Sequence, residues 1–278
     1  MSQTAASPSL PTIAFIGGGN MASAIIGGLI HQGQPASQIE VVEPWAEARE
    51  ALRKNYGIEA QAEAGPALQR AGIVVWAVKP QTFKDAAAQA KPHTQAALHL
   101  SVAAGIRSGS IAQWLGSERV VRTMPNTPAL VGKGMSALYA RPAVTAAERQ
   151  SVEAIMASTG EFLWVESEKQ LDAVTALSGS GPAYVFYFLE AMTRAGVGMG
   201  LSEAQAHQLA VGTFVGASEL ARRSDEPPAM LRQRVTSKGG TTYAALQSME
   251  ADGVGGAFER AMQAACQRAD ELGNEFGA

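Results

Sequence analysis

Between residues 12 and 166, short apolar runs alternate with polar stretches of helical period. The runs 12–16, 39–42, 73–78, 98–102, 120–124, 135–139 and 161–165 predict strands. Several are unbroken β-branched runs, not alternating ones. A strand of that kind is buried on both faces, as in a parallel sheet. The Ala-rich segments between them have the length of crossover helices. Past Glu166 the period is helical throughout: 169–178, 182–196, 202–223, 227–235, 241–250 and 254–274 predict helices, and nothing there predicts a strand. Ser178 to Pro182, "SGSGP", interrupts one long pattern; its glycines end a helix, and Pro182 suits the first turn of the next. "PAYVFYFLEAM", 182–192, is apolar almost all round a helical wheel and so predicts burial, in the core or at a subunit interface. "LAVGTFVGASELA", 209–221, carries small residues at helical spacing. So much apolar helix surface predicts an obligate dimer.

The first apolar run ends in glycines and enters a helix directly: "FIGGGNMA". Gly17, Gly18, Gly19, Asn20, Met21 and Ala22 fit G-x-G-x-x-G/A. The first glycine makes a turn that a Cβ would obstruct, the second lets a phosphate reach the backbone, and Ala22 keeps the helix close to the sheet. The helix start then offers N–H groups and partial positive charge to a pyrophosphate. Glu43 ends the second run, 24 residues past Gly19. An acid near that distance hydrogen-bonds the adenosine ribose and disfavours a 2′-phosphate, although a surface glutamate before Pro44 would read the same way. "WAVKPQ", "SVAAGI" and "MPNTPAL" follow further strands. Their small residues suit a nicotinamide floor and equally suit plain tight turns; Lys79 could meet phosphate or stay in a solvated loop.

Composition narrows the class. The chain has 278 residues, 46% hydrophobic and 17% charged, with a net charge of −3. That length allows two domains, and that charge makes no case for nucleic acid or a membrane surface. The longest apolar runs are about six residues, where a membrane helix needs about 20. One cysteine, Cys266, permits no intrachain disulfide and suits a reducing compartment. His31, His93, His99 and His207 are scattered without ligand spacing, so no metal is expected. Residues 1–11 lack both Lys or Arg and an apolar core, which predicts a disordered tail, not a secretory signal, and a cytoplasmic protein.

"RQRVTSKGGTTYAALQSME", 232–250, gathers hydroxyls, glycine backbone and a helix start within seven residues. Such a turn can hold a small carboxylate, or be only a capped helix–helix turn. With "FIGGGNMASAIIGGL", "AVKPQ", "SVAAGI", "RTMPNTPALVGKGMSAL", "DAVTALSGSGPAYVF" and "VTSKGGTTYAALQSME" in that order, the chain after residue 11 resembles the pyrroline-5-carboxylate reductases. The resemblance implies an α/β Rossmann-type N-terminal domain at 12–166 and an all-helical dimerisation and substrate domain at 167–278. It implies reduction of 1-pyrroline-5-carboxylate to L-proline, by homodimers that can assemble into a larger ring. It favours NADPH where Glu43 favours NADH; the expectation is NADPH, with NADH usable. By motif, Thr242 falls where a hydroxyl reaches the imine nitrogen, and Ser237, Gly240 and Thr241 fall where the carboxylate is clasped. Glu168 falls near the substrate. The implied cofactor contacts are Gly17 to Ala22, Glu43, Ala77, Val78, Lys79, Pro80, Ala103, Ala104, Gly105 and Asn126. Three positions depart from the pattern: Lys238 for a common proline, Arg234 for an asparagine near the cofactor, and Ala64 for an adenosine-side asparagine.

A carbonyl-reducing dehydrogenase usually needs a His, Lys or Tyr acid. A 3-hydroxyacid or prephenate-type dehydrogenase would carry a Lys or His on the first long C-terminal helix, and "LSGSGPAYVFYF" has neither. A non-catalytic NAD(P)-sensing module would keep the glycine turn but has no need of the 236–242 loop.

Overall fold

The computed structural model describes residues 10–277; residues 1–9 of the tail expected at 1–11 lie outside them. Leu10 packs on the core, and Pro11 accepts a hydrogen bond from Gln34, so these two residues of the tail expected at 1–11 are part of the fold. The chain runs β1 (Ile13–Ile16), α1 (Asn20–His31), β2 (Ile39–Val42), α2 (Ala46–Tyr56), β3 (Ile73–Trp76), α3 (Pro80–Ala90), β4 (Leu98–Ser101), α4 (Ser108–Leu115), β5 (Val120–Met124), β6 (Gly134–Ala140), α5 (Ala146–Ala157) and β7 (Gly160–Trp164). Six helices follow: α6 (Gln170–Val174), α7 (Gly181–Gly198), α8 (Glu203–Arg223), α9 (Pro228–Arg234), α10 (Thr241–Ala251) and α11 (Val254–Phe276).

The strands form one sheet in the order β2-β1-β3-β4-β5-β6-β7. β1 to β5 are parallel, whereas β6 runs antiparallel to β5 and carries β7 with it. The reversal has a cause in the connection: β5 and β6 are joined by a 3-10 turn, Thr127–Val131, too short for the crossover a parallel pair needs. Ile13 and Phe15 point into one layer with α1, α2 and α5, while Ala14 and Ile16 point into the other with α3 and α4. Burial on both faces is what the unbroken apolar runs encode. The chain leaves β1 toward β2, then crosses back to β3. This places a topological switch point at the carboxyl ends of β1 and β3.

The second layer contains a buried titratable group. Trp76 Nε1 donates to His99 Nδ1 at 3.2 Å, which leaves the His99 proton on Nε2, buried without a partner. Burial, and then the charge of Arg119, push the His99 pKa down to about 4. The folded value lies below the unfolded one, near 6.5. The stability contribution is therefore complete above the unfolded value and is lost as pH falls toward 4. The folded protein should lose about 2 kcal/mol from this group between pH 7.5 and 4.5. Urea denaturation of His99→Gln should show a correspondingly flatter pH dependence; an unchanged slope would remove His99 from the acid limb.

The chain divides into two compact units. One runs to Ser180 and takes back the chain from Ala265; the other is Gly181–Ala264. By contacts, α6 and the end of α11 are bonded into the first unit, beyond the boundary expected at 166. Arg107 pairs with Asp172 at 2.9 Å and with Asp270 at 2.6 Å, and Ser110 Oγ donates to Gly277 O. Within the second unit α7 packs on α8, where a Cβ on Gly196 would stand 2.7 Å from that of Ala206. The burial expected of 182–192 is not met within one chain, since Val185, Phe186, Tyr187 and Met192 are exposed. So are Val215 and Leu220 on α8. No helix among the described residues is long and apolar enough to cross a membrane.

Candidate functional site

The glycine turn joins β1 to α1. Gly17 has φ +95°, donates to Val42 O at 2.8 Å, and could not carry a Cβ, which would stand 2.6 Å from Ala77 O. Gly17, Ala77 and Val78 thus meet at the switch point. Gly18 is packed against the protein: its Cβ would fall 2.8 Å from Leu52 Cδ1. Gly19 differs, since a Cβ there would meet nothing within 4 Å. Gly19 is also the N-cap of α1, with no side-chain cap and no acid in the first turn. An open glycine before an uncapped helix start fits a pyrophosphate. Asn20 is exposed beside it, Met21 is half-buried, and Ala22 is in the core.

Glu43 is 6% exposed, so it is not the surface glutamate that Pro44 suggests. Its Oε2 accepts the Gly18 N–H at 2.7 Å, and its Oε1 accepts the Trp45 N–H at 2.9 Å. The other strand-end segments follow β3 and β4 in the same row as Glu43 and the glycine turn. Lys79 is exposed at the N-cap of α3, with Pro80 at the first helical position. Ala103 N–H donates to Ser101 Oγ at 3.3 Å, and Ala104 and Gly105 carry the chain toward α4.

Two of the expected site residues make internal hydrogen bonds. Asn126 Nδ2 donates to Ser178 O at 3.0 Å, and its Oδ1 accepts the Met135 N–H at 2.9 Å. The side chain ties the β5–β6 link to the segment before α7. Glu168 Oε1 accepts from the Ser108 N–H at 2.5 Å and from Arg122 Nη1 at 2.7 Å, while Oε2 accepts from Ser108 Oγ at 2.6 Å. Burial raises the Glu168 carboxyl, but the bonds from Ser108 and Arg122 outweigh it and hold the group below the usual carboxylate range. A carboxylate bonded this way anchors α4 and β5. The arginine in the otherwise apolar "VVRTM" was the signal that such a partner had to exist.

In the second unit, Gly239 has φ +76°, and Gly240 N–H donates to Ser237 O at 3.0 Å. A Cβ on Gly240 would fall 2.6 Å from Ser237 Oγ. Gly240 is the N-cap of α10, again with no side-chain cap and no acid in the first turn. Thr241 and Thr242 are exposed on that first turn. Among the described residues neither hydroxyl has a hydrogen-bond partner. Arg234, at the end of α9, pairs with Glu226 at 2.5 Å, and Lys238 is exposed. Ser237, Gly240, Thr241 and Thr242 are therefore brought together at one helix start; the Gly240 N–H is taken by Ser237 O, while the Thr241 and Thr242 hydroxyls have no protein acceptor among the described residues. Among the described residues no three His, Cys, Asp or Glu side chains cluster as metal ligands.

Residues 168–272 match the family described as pyrroline-5-carboxylate reductase dimerisation, and residues 12–105 match NADP oxidoreductase coenzyme F420-dependent. The chain is 45% identical to a pyrroline-5-carboxylate reductase of Pseudomonas aeruginosa, over 97% of this chain and 99% of that one. A crystal structure of the Plasmodium falciparum pyrroline carboxylate reductase with NADP bound superposes with a TM-score of 0.86 at 30% identity, covering 95% of this chain and 99% of that one. The Coxiella burnetii reductase gives 0.87 at 36% identity, covering 95% and 98%. A prephenate dehydrogenase from Aquifex aeolicus, at 15% identity and a TM-score of 0.53, shares the fold alone.

Proposed function

This chain belongs to the pyrroline-5-carboxylate reductase family, and from that premise we propose how its two uncapped helix starts divide one reaction, the reduction of 1-pyrroline-5-carboxylate to L-proline that ends proline synthesis. NADPH is the cofactor, with NADH usable; when bound it supplies the hydride that the imine carbon accepts. The N–H groups that open α1, beside Gly19, hold the pyrophosphate, and Ala77 to Pro80 with Ala103 to Gly105 border the nicotinamide half. The Ser237–Thr241 turn holds the substrate carboxylate through backbone N–H groups and hydroxyls. Thr242 donates its hydroxyl to the ring nitrogen and sets which imine face is presented. The imine nitrogen is basic enough to be protonated in solution, so the carbon is electrophilic without a strong acid from the protein. Catalysis then rests on orientation, which glycines, threonines and helix ends supply.

The observation that carries this reading is the start of α10, where Thr242 is exposed and its hydroxyl is unspent while Gly240 holds the cap position. The test is oxidation of NADPH, and in parallel NADH, on addition of pyrroline-5-carboxylate; no oxidation with either would overturn it. Thr242→Val keeps the shape and removes the donor. Because the cap is Gly240, the helix should be intact by circular dichroism while kcat falls about tenfold, the scale of one hydrogen bond strengthened in the transition state. Thr242→Ser should recover, and Thr242→Asn, whose amide intrudes on the substrate, should not. Equal recovery by both would reduce Thr242 to a surface hydroxyl.

The exposed faces of α7 and α8 support a homodimer, and dimers closing into a ring belong to the same reading, as does a cytoplasmic location with Cys266 reduced. Sedimentation at low concentration should show no monomer.

A further inference from the structure

We propose that Trp45 is the stacking platform for the adenine ring of the dinucleotide, and that Glu43 positions it. The inference rests on the cofactor reading above and goes beyond it to a residue that reading does not use.

Three of the four tryptophans have a ring or cation partner. Trp76 stacks on Phe83 at 4.9 Å, Trp114 lies 5.8 Å from the same ring, and Trp164 carries Arg149 at 4.8 Å. Trp45 is 70% exposed and has no ring or cation partner among the described residues. A flat apolar ring exposed at a strand end is free to stack on a flat ligand.

Its place defines that occupant. Trp45 lies just past the carboxyl end of β2, the strand next to β1, as the N-cap residue of α2. A dinucleotide with its pyrophosphate on Gly19 sends its adenosine toward the end of β2. The flat group arriving there is a purine, and purines stack on tryptophan.

The backbone under the ring is fixed from both sides. One Glu43 oxygen holds the Trp45 N–H, and the other holds the Gly18 N–H of the phosphate turn. Arg49 Nη1 donates to Glu43 O at 2.9 Å and to Pro44 O at 2.6 Å, closing the corner from the helix side. A single carboxylate thus spans the phosphate turn and the platform, so the two are held in one register. Glu43 is a positioning residue here, acting through Gly18 and Trp45.

The test uses the full chain and two fragments of the cofactor: 2′-phospho-ADP-ribose, which has the adenine, and nicotinamide mononucleotide, which has not. Binding is measured by calorimetry and by tryptophan emission. In the wild type, 2′-phospho-ADP-ribose should quench the emission of the exposed tryptophan. Trp45→Phe should lose that quench and keep affinity within about threefold. Trp45→Leu should lose about tenfold or more, the scale of one base–aromatic stack. Nicotinamide mononucleotide should bind all three alike. Glu43→Ala should weaken the quench, and Glu43→Gln, which keeps an acceptor, should restore part of it. Wild-type affinity for 2′-phospho-ADP-ribose in Trp45→Leu would overturn the proposal and leave the cofactor reading standing. Failure of the wild type to bind NADPH itself would overturn that reading, and the proposal with it.

Discussion

Gly19→Val should cost the protein its cofactor and leave its fold intact. A side chain at 19 projects into space where nothing lies within 4 Å, from a backbone with φ −72° that any residue tolerates. It would therefore clash only with a ligand on the helix start. Each charge-assisted hydrogen bond to an anion contributes about 1.5–3 kcal/mol, so losing two lowers NADPH affinity about 100-fold or more. Calorimetric titration with NADPH should show that loss, with a melting temperature close to wild type. Gly17→Ala is the contrasting variant. Its Cβ would meet Ala77 O at 2.6 Å in a left-handed conformation, so it should destabilise the first unit itself. Unchanged NADPH affinity in Gly19→Val would mean that the turn holds no pyrophosphate.

Glu168→Ala should be the most destabilising single change in the charged network, by about 3–5 kcal/mol, because it strands a buried arginine. The Arg122 side chain is 5% exposed and is buried in β5, and its Nε already lacks a partner. The Ser108 N–H and hydroxyl lose their acceptor in the same stroke. Glu168→Ala combined with Arg122→Met should lose less than Glu168→Ala alone, since no charge is then left unpaired. Urea denaturation of the single and double variants measures the difference. The pH dependence has a defined sign. The Glu168 carboxyl is lowered on folding, so its contribution is present above the unfolded carboxyl pKa and fades as pH falls through the folded one. Were Glu168 a substrate ligand instead, Glu168→Ala would raise KM at unchanged stability.

The elements themselves were legible in the chain. β2 and β5 fall where the apolar runs place them, and β3 is two residues shorter, ending at Trp76. α6 to α11 match the six helical stretches, although the first closes in a π-turn, Thr175–Gly179. The glycine turn and the Ser237–Thr242 turn were also legible. In each of these, stereochemistry acts over a few neighbouring residues: the period of side chains along a backbone, and glycines where a Cβ has no room.

What a carboxylate or amide bonds to was decided only in three dimensions. Gly18 finds Glu43 across 25 residues, Ser108 finds Glu168 across 60, and Asn126 finds Ser178 across 52. No local pattern encodes those pairings, which exist because the sheet order brings distant strand ends together and burial then forces each polar group to take the nearest partner. The same holds for the antiparallel β6, the return of α11 to the first unit, and the exposed face of α7. Each depends on which surfaces meet, whereas the period along the chain fixes only which surfaces exist.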